Sequence, residues 1–180
     1  MVELGRIDMI TEVNMMASCL AMPREGHLEN VFHIFAYLKI KHNSRMVFDP
    51  TYPDIDLSSF KECDWKHFYT SAKEAIPDNA PNPRGKDVDI RMFVDSDHAA
   101  DTVTRRSRTG FFIFLNMAPI VWHSKKQTTI ESSVFGAEFV VLNIAMETTR
   151  GLRYKLRIMG VPFDRHTYAY VDNMSVIHNT

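Results

Sequence analysis

The chain has 180 residues, 45% of them hydrophobic and 24% charged, with a formal net charge of −1. That balance suits one ordinary domain, or a small domain with an appendage, holding enough apolar mass for a core. It excludes a globally basic nucleic-acid binder, so any polyanion has to be held by a local patch.

The two cysteines, Cys19 and Cys63, form no C-x-x-C pair. They specify neither a disulfide framework nor a zinc site, which fits a reducing compartment. No apolar run reaches membrane-spanning length, and the N-terminus (MVELGRIDMITEV) carries acids where a signal peptide needs an unbroken apolar stretch. The expected setting is intracellular, with no membrane partner and no export.

Residues 1–42 are expected to be helical. Ile7, Ile10, Val13 and Ala17 recur at helical spacing, and Pro23 marks a break. Leu28, Val31, Phe32, Phe35 and Leu38 then form a second stripe before the basic end Lys39 and Lys41. Residues 43–89 carry Pro50, Pro53, Pro77, Pro81 and Pro83 and read as a connection, with a strand at Met46–Phe48 and a short helix near Trp65–Glu74.

From residue 90 the pattern changes. "IRMFVD", "TGFFIFLN" and "APIVWHSK" read as three strands of a meander, with turn residues Asn116 and Pro119 between the last two. "SSVFGAEFVVLNIAMETTRG" reads as a long helix, capped by Ser132 or Ser133 and closed by Gly151 just past its end. A further helical piece, "LRYKLRIMG", a strand, "TYAYVD", and the opening of another helix, "NMSVIHNT", complete the chain. The order β-β-β-α-β predicts an α/β fold in which helices flank a mixed sheet. In such sheets ligand-binding residues collect beyond the carboxyl ends of strands, where Asp95 and Asp172 fall.

Glu138 has Val134, Phe135, Val141, Leu142 and Ala145 as its helical neighbours, which puts a carboxylate on an apolar stripe. It has to be protonated, salt-bridged or metal-bound, or else sit at the rim of the stripe beside an arginine. Asp172 before Asn173 also suits a helix cap or Asx turn, and Asp95 and Asp97 also suit a turn. If the first and fourth strands are parallel neighbours, their ends bring Asp95 and Asp172 together, and a helix packed across them adds Glu138. Three converging carboxylates repel one another. A pair of hard divalent ions resolves that conflict and forms an apparatus for displacement at phosphorus.

The stretch "FVDSDHAADTVTRRSRTGFFIFLNMAPIVWHSKKQTTIESSVFGAEFVVL" closely resembles the ribonuclease H domain of copia-like LTR retrotransposon polyproteins. Those proteins carry a V-D-S-D-x-A-x-D opening, an R-R-S-x-(S/T)-G turn, an S-x-K-Q stretch and an A-E-(Y/F) helix. "YVDNMSVIHN" continues the match through a D-N-x-(S/A) motif. Upstream, Arg6, Asp8, Pro23, His27 and Tyr37-Leu38-Lys39 are similar to the segment joining that family's reverse transcriptase to its ribonuclease H.

The resemblance implies an incomplete ribonuclease H-like domain over 90–180, preceded by a two-helix polymerase tail over 1–42 and a connecting segment over 43–89. It implies a fragment of a Pol polyprotein, in a cytoplasmic virus-like particle or the nucleus, that cleaves the RNA strand of RNA–DNA hybrids. Asp95, Glu138 and Asp172 would be both the catalytic residues and the ligands of two Mg²⁺ ions, or of Mn²⁺. The family's fourth carboxylate, in a downstream N-P-A-D-type stretch, has no counterpart before Thr180. Ala100 stands where the family usually has Gly, and Gly136 where it commonly has an acid.

The polymerase's Y-x-D-D, a D-(S/T)-G protease motif and an integrase zinc set are all absent. Arg105, Arg106 and Arg108 crowd one turn, and Lys125 and Lys126 close the third strand. They suit phosphate contacts along a duplex, and equally a solvated face. Gln127, Ser132 and Ser133 are candidates for contacts to ribose hydroxyls. Two rival readings remain: a decayed or repurposed copy that binds nucleic acid without cutting it, and a D-x-D phosphatase. Ala99 disfavours the phosphatase, because it stands where those enzymes generally have Thr or Val.

Overall fold

A computed structural model describes residues 5–60, 67, 74, 76–162 and 165–180. Among these, a 3₁₀ turn at Ile7–Met9 leads into helix α1 (Ile10–Ala17), and α2 (Glu25–Ile40) follows. The sheet strands are β1 (Ile90–Asp97), β2 (Arg108–Leu115), β3 (Ala118–Lys126) and β4 (Thr167–Val171). Helix α3 (Val134–Ile158) separates β3 from β4, and α4 (Met174–Asn179) follows β4. No helix is long and apolar enough to cross a membrane among the described residues.

The strands lie in the order β3-β2-β1-β4. β1 pairs antiparallel with β2 and parallel with β4, from Ile90 opposite Thr167 to Val94 opposite Val171. The fold is therefore a mixed α/β sheet with flanking helices, and the first and fourth strands are the parallel neighbours that the sequence required for Asp95 and Asp172 to meet.

Alternation in β1 buries Ile90, Met92 and Val94 on one face, where they meet Phe111 and Ile113 of β2 and Val141, Leu142, Ala145 and Leu156 of α3. Val176 of α4 closes the same core. Ile113 and Val141 are 0% exposed, and burial of each contributes about 1.5–3 kcal/mol. The opposite face carries aromatic rings: Phe93 stacks on Tyr170 at 4.5 Å with planes 8° apart. Phe60, from the connecting segment, meets Tyr168 and Tyr170.

Two local expectations change, and a third lies outside the described residues. Met46–Phe48 is not a strand; Val47 and Phe48 are exposed and β-propensity without a neighbouring strand builds no ladder. The helix expected near Trp65–Glu74 falls almost wholly outside the described residues. Gly151 does not end α3, which runs unbroken to Ile158. Leu152 and Leu156 continue its apolar stripe onto the core, and that burial outweighs the ~1 kcal/mol cost of an interior glycine. The left-handed residue that closes the helix is Gly160, at φ +75°.

Candidate metal centre

β1 also continues further than its apolar run. Its pairing with β2 extends to Asp97 opposite Arg108, whereas its pairing with β4 stops at Val94. Asp95 thus stands one residue beyond the last parallel pair, and Asp172 stands one residue beyond β4. The two exposed aspartates flank the same end of the parallel ladder. Asn173 caps α4 by accepting hydrogen bonds from the Ser175 and Val176 amides, so the cap expected around Asp172–Asn173 is made by the asparagine.

Ser133 caps α3, accepting from the Gly136 amide at 3.1 Å, and sets the first turn against the sheet. One turn on, Glu138 enters the core face and is 3% exposed. Its Oε1 accepts two hydrogen bonds from Ser96, from the amide at 3.2 Å and from the hydroxyl at 2.9 Å. Its Oε2 is buried with no protein partner. Burial, and then the nearby charges of Asp172 and Asp95, push the Glu138 carboxyl above the usual glutamate range, with the Ser96 bonds opposing.

Asp95, Glu138 and Asp172 each offer a carboxylate oxygen, and these three atoms lie within 4.8 Å of one another. All the donors are hard oxygens, one of them desolvated and unpartnered. Mg²⁺ binds oxygen at about 2.0–2.1 Å, so ligand atoms around one ion sit roughly 3–4 Å apart. The donor set therefore suits divalent ions after a closure of roughly 1–2 Å. A cleft of about 750 Å³ opens beside it, lined by Phe93, Asp95, Tyr170 and Asp172 among others.

Ser96 was missed as a site residue. Its signal was the period-2 alternation of β1, which puts it on the same helix-facing side as Met92 and Val94. Asp97 is exposed, pairs in register with Arg108 and lies outside the triad. His98 is held at the Glu131 carbonyl through Nε2 at 3.1 Å. His123 stacks on Phe111 at 4.9 Å, and burial, then Lys125, lowers its pKa.

The basic residues divide. Arg105, at φ +57° on the β1–β2 loop, Lys125 and Ser132 are exposed. Arg106 and Arg108 are half-buried, each with a nitrogen lacking a hydrogen-bond partner. Lys126 is tied to Asp101 at 2.8 Å. Asp101 also accepts from the Val103 and Thr104 amides, and these contacts hold its carboxyl well below the usual range. Gln127 is buried, donating to the Ala137 carbonyl at 3.2 Å. Lys126 is thus engaged with the loop, and Gln127 with the α3 entry.

No family profile matches the chain, and no solved structure matches it. Among curated proteins, the chain is 42% identical over 55 residues to an uncharacterized mitochondrial protein of Arabidopsis thaliana, a match covering 31% of this chain and 23% of that one. It is 25% identical over 95 residues to the retrovirus-related Pol polyprotein from transposon RE2 of the same plant, covering 53% of this chain and 6% of the polyprotein. A secreted RxLR effector protein of Plasmopara viticola is 34% identical over 65 residues, covering 36% of this chain and 46% of the effector. The chain thus spans less than half the length of each. Its relatives thus include a transposon Pol polyprotein.

Proposed function

We propose that this chain is the ribonuclease H-like part of a copia-like Pol polyprotein and hydrolyses the RNA strand of RNA–DNA hybrids. One observation carries the reading: a buried glutamate with an unpartnered oxygen shares a 4.8 Å cluster with two exposed strand-end aspartates. The sheet order, the motifs around each acid and the relationship to a transposon Pol polyprotein support it.

Asp95, Glu138 and Asp172 would hold two Mg²⁺ ions, or Mn²⁺. When bound, the ions would supply an activated water and neutralise charge at the scissile phosphate. Ser96 orients Glu138 by fixing Oε1, which leaves Oε2 turned to its task. Without ions, the raised affinity of Glu138 for a proton relieves the repulsion among the three acids. Arg105, Arg108 and Lys125 hold the hybrid backbone through phosphates, which positions the duplex without reading its sequence.

The test is cleavage of a labelled RNA–DNA hybrid. Mg²⁺-dependent shortening of the RNA strand alone is expected, with loss of products but not of hybrid binding in Asp95→Asn. Cleavage that survives both chelation and Asp95→Asn would overturn the proposal, and so would binding with no products under any divalent ion.

A further inference from the structure

Helix α2 holds no buried residue. Val31, Ile34 and Leu38 are half-buried and, with Phe35 at their edge, line a cleft against α1 and β3. Next to that side, Glu25, Leu28, Phe32, Phe35 and Lys39 are all exposed. Their spacing of three, four, three and four residues gathers them within an arc of about 80° at 100° per residue. Leu28 is 55% exposed, and Phe32 and Phe35 are 61% exposed each. Ile40 flanks the stripe at 75%. An apolar stripe of that kind on a monomer marks an interaction surface.

The charges decide what fits it. The stripe opens on a glutamate, closes on a lysine and has Phe32 at its midpoint. A parallel copy would set Glu25 against Glu25 and Lys39 against Lys39. An antiparallel copy related by a two-fold axis near Phe32 sets Glu25 against Lys39 at both ends and packs Leu28 against Phe35 between them. The stripe is its own electrostatic complement in one orientation only, which is the requirement for an isologous contact.

We propose that the outer face of α2 is a self-association surface on which a second copy of this chain docks its own α2 antiparallel. A contact made by one helix face on each copy falls short of the ~800 Å² per partner of a standard interface, so a reversible dimer with a dissociation constant on the order of 1–100 μM is expected. It is separate from the carboxylate site and stands whether or not that site cleaves nucleic acid.

Sedimentation velocity of the full chain across that concentration range tests it. A concentration-dependent monomer–dimer equilibrium that weakens with salt is expected. Glu25→Lys and Lys39→Glu, both on solvent-exposed positions, each shift the equilibrium at least tenfold toward monomer, and the double exchange E25K/K39E restores it. Phe32→Glu abolishes the dimer, with circular dichroism checking that the helix content is kept. A monomer at about 300 μM, three times the weakest dissociation constant expected of such an interface, overturns the proposal. So does a dimer that ignores both single charge reversals, or one that the double exchange fails to rescue.

Discussion

Replacing Glu138 with glutamine separates a site built for ions from a merely tolerated buried acid. In the metal-free protein the Glu138 carboxylate is 3% exposed and has two carboxylates within 4.8 Å. At that distance a like-charge pair costs about 3.5 kcal/mol at an effective dielectric of 20, and about 1 kcal/mol at that of water. Asp95 and Asp172 are exposed, so the lower part of that range applies. Glutamine keeps an acceptor for Ser96 and turns an amide donor toward the aspartates.

Metal-free Glu138→Gln is therefore expected to be more stable than wild type by about 1–2 kcal/mol at pH 8, which in a chain of this size raises Tm by roughly 2–8 °C. Because the folded carboxyl titrates above its unfolded value, its contribution is fully present below the ordinary glutamate range and is lost as pH rises through the folded value. The advantage of glutamine should accordingly vanish near pH 4. Added Mg²⁺ at hundredfold excess over Kd reverses the order: wild type gains RT ln(1 + [Mg²⁺]/Kd), about 2.7 kcal/mol, and the variant gains far less. Thermal unfolding at two pH values, with and without Mg²⁺ or Mn²⁺, measures all of this. A glutamine variant less stable than wild type in every condition, or a wild-type Tm indifferent to divalent ions, would refute the reasoning.

Three further outcomes are expected. A Cβ at Gly151 meets nothing within 4 Å, so Gly151→Ala should stabilise by about 0.5–1 kcal/mol, whereas Gly160→Ala, at φ +75° with Pro81 3.3 Å away, should cost about 1–2 kcal/mol; urea titration compares them. Glu74 binds Arg153 at 2.6 Å and Arg157 at 2.8 Å, and these partners lower its pKa to about 2. Its contribution is thus present at neutral pH and lost as pH falls from about 4.5 to about 2; Glu74→Gln should cost about 1 kcal/mol at pH 7 after solvent screening and nothing at pH 2, by the same titration. If the basic loops hold a hybrid, Lys125→Ala should reduce the salt slope of binding by about one unit, while Lys126→Ala should act mainly by lowering Tm through the lost Asp101 pair, as fluorescence anisotropy and thermal melts would report.

What could be read in advance was set by local periodicity. The alternation of Ile90, Met92 and Val94 marks a strand with one buried face, and the neighbours of Glu138 mark it as facing inward. The Ser132–Ser133 pair announced the start of α3 through its capping chemistry, and Ser133 is the one that caps it. What was not legible depends on distant partners. Nothing near Lys126 shows that Asp101, 25 residues away, occupies its ammonium. The interior glycine at 151 carries the same local signal as a helix stop, and only the packing of Leu152 and Leu156 onto the core overrides that signal. The junction of Asp95 with Asp172 follows from the parallel pairing of β1 and β4, which a single sequence states only as a condition.

That pairing gives the Phe93–Tyr170 stack a larger part than a surface ornament. Ala169 and Val171 of β4 pack against the core while Tyr168 and Tyr170 take the other side, so a one-residue slip against β1 is penalised but a two-residue slip is not. A slip of two residues would preserve which side each ring occupies yet carry Asp172 about 6.6 Å along the strand, out of reach of Asp95 and Glu138. The stacked rings at 4.5 Å, clasped by Phe60, act as a detent that admits one alignment. The spacing of the acids is thus inherited from aromatic packing on the far side of the sheet.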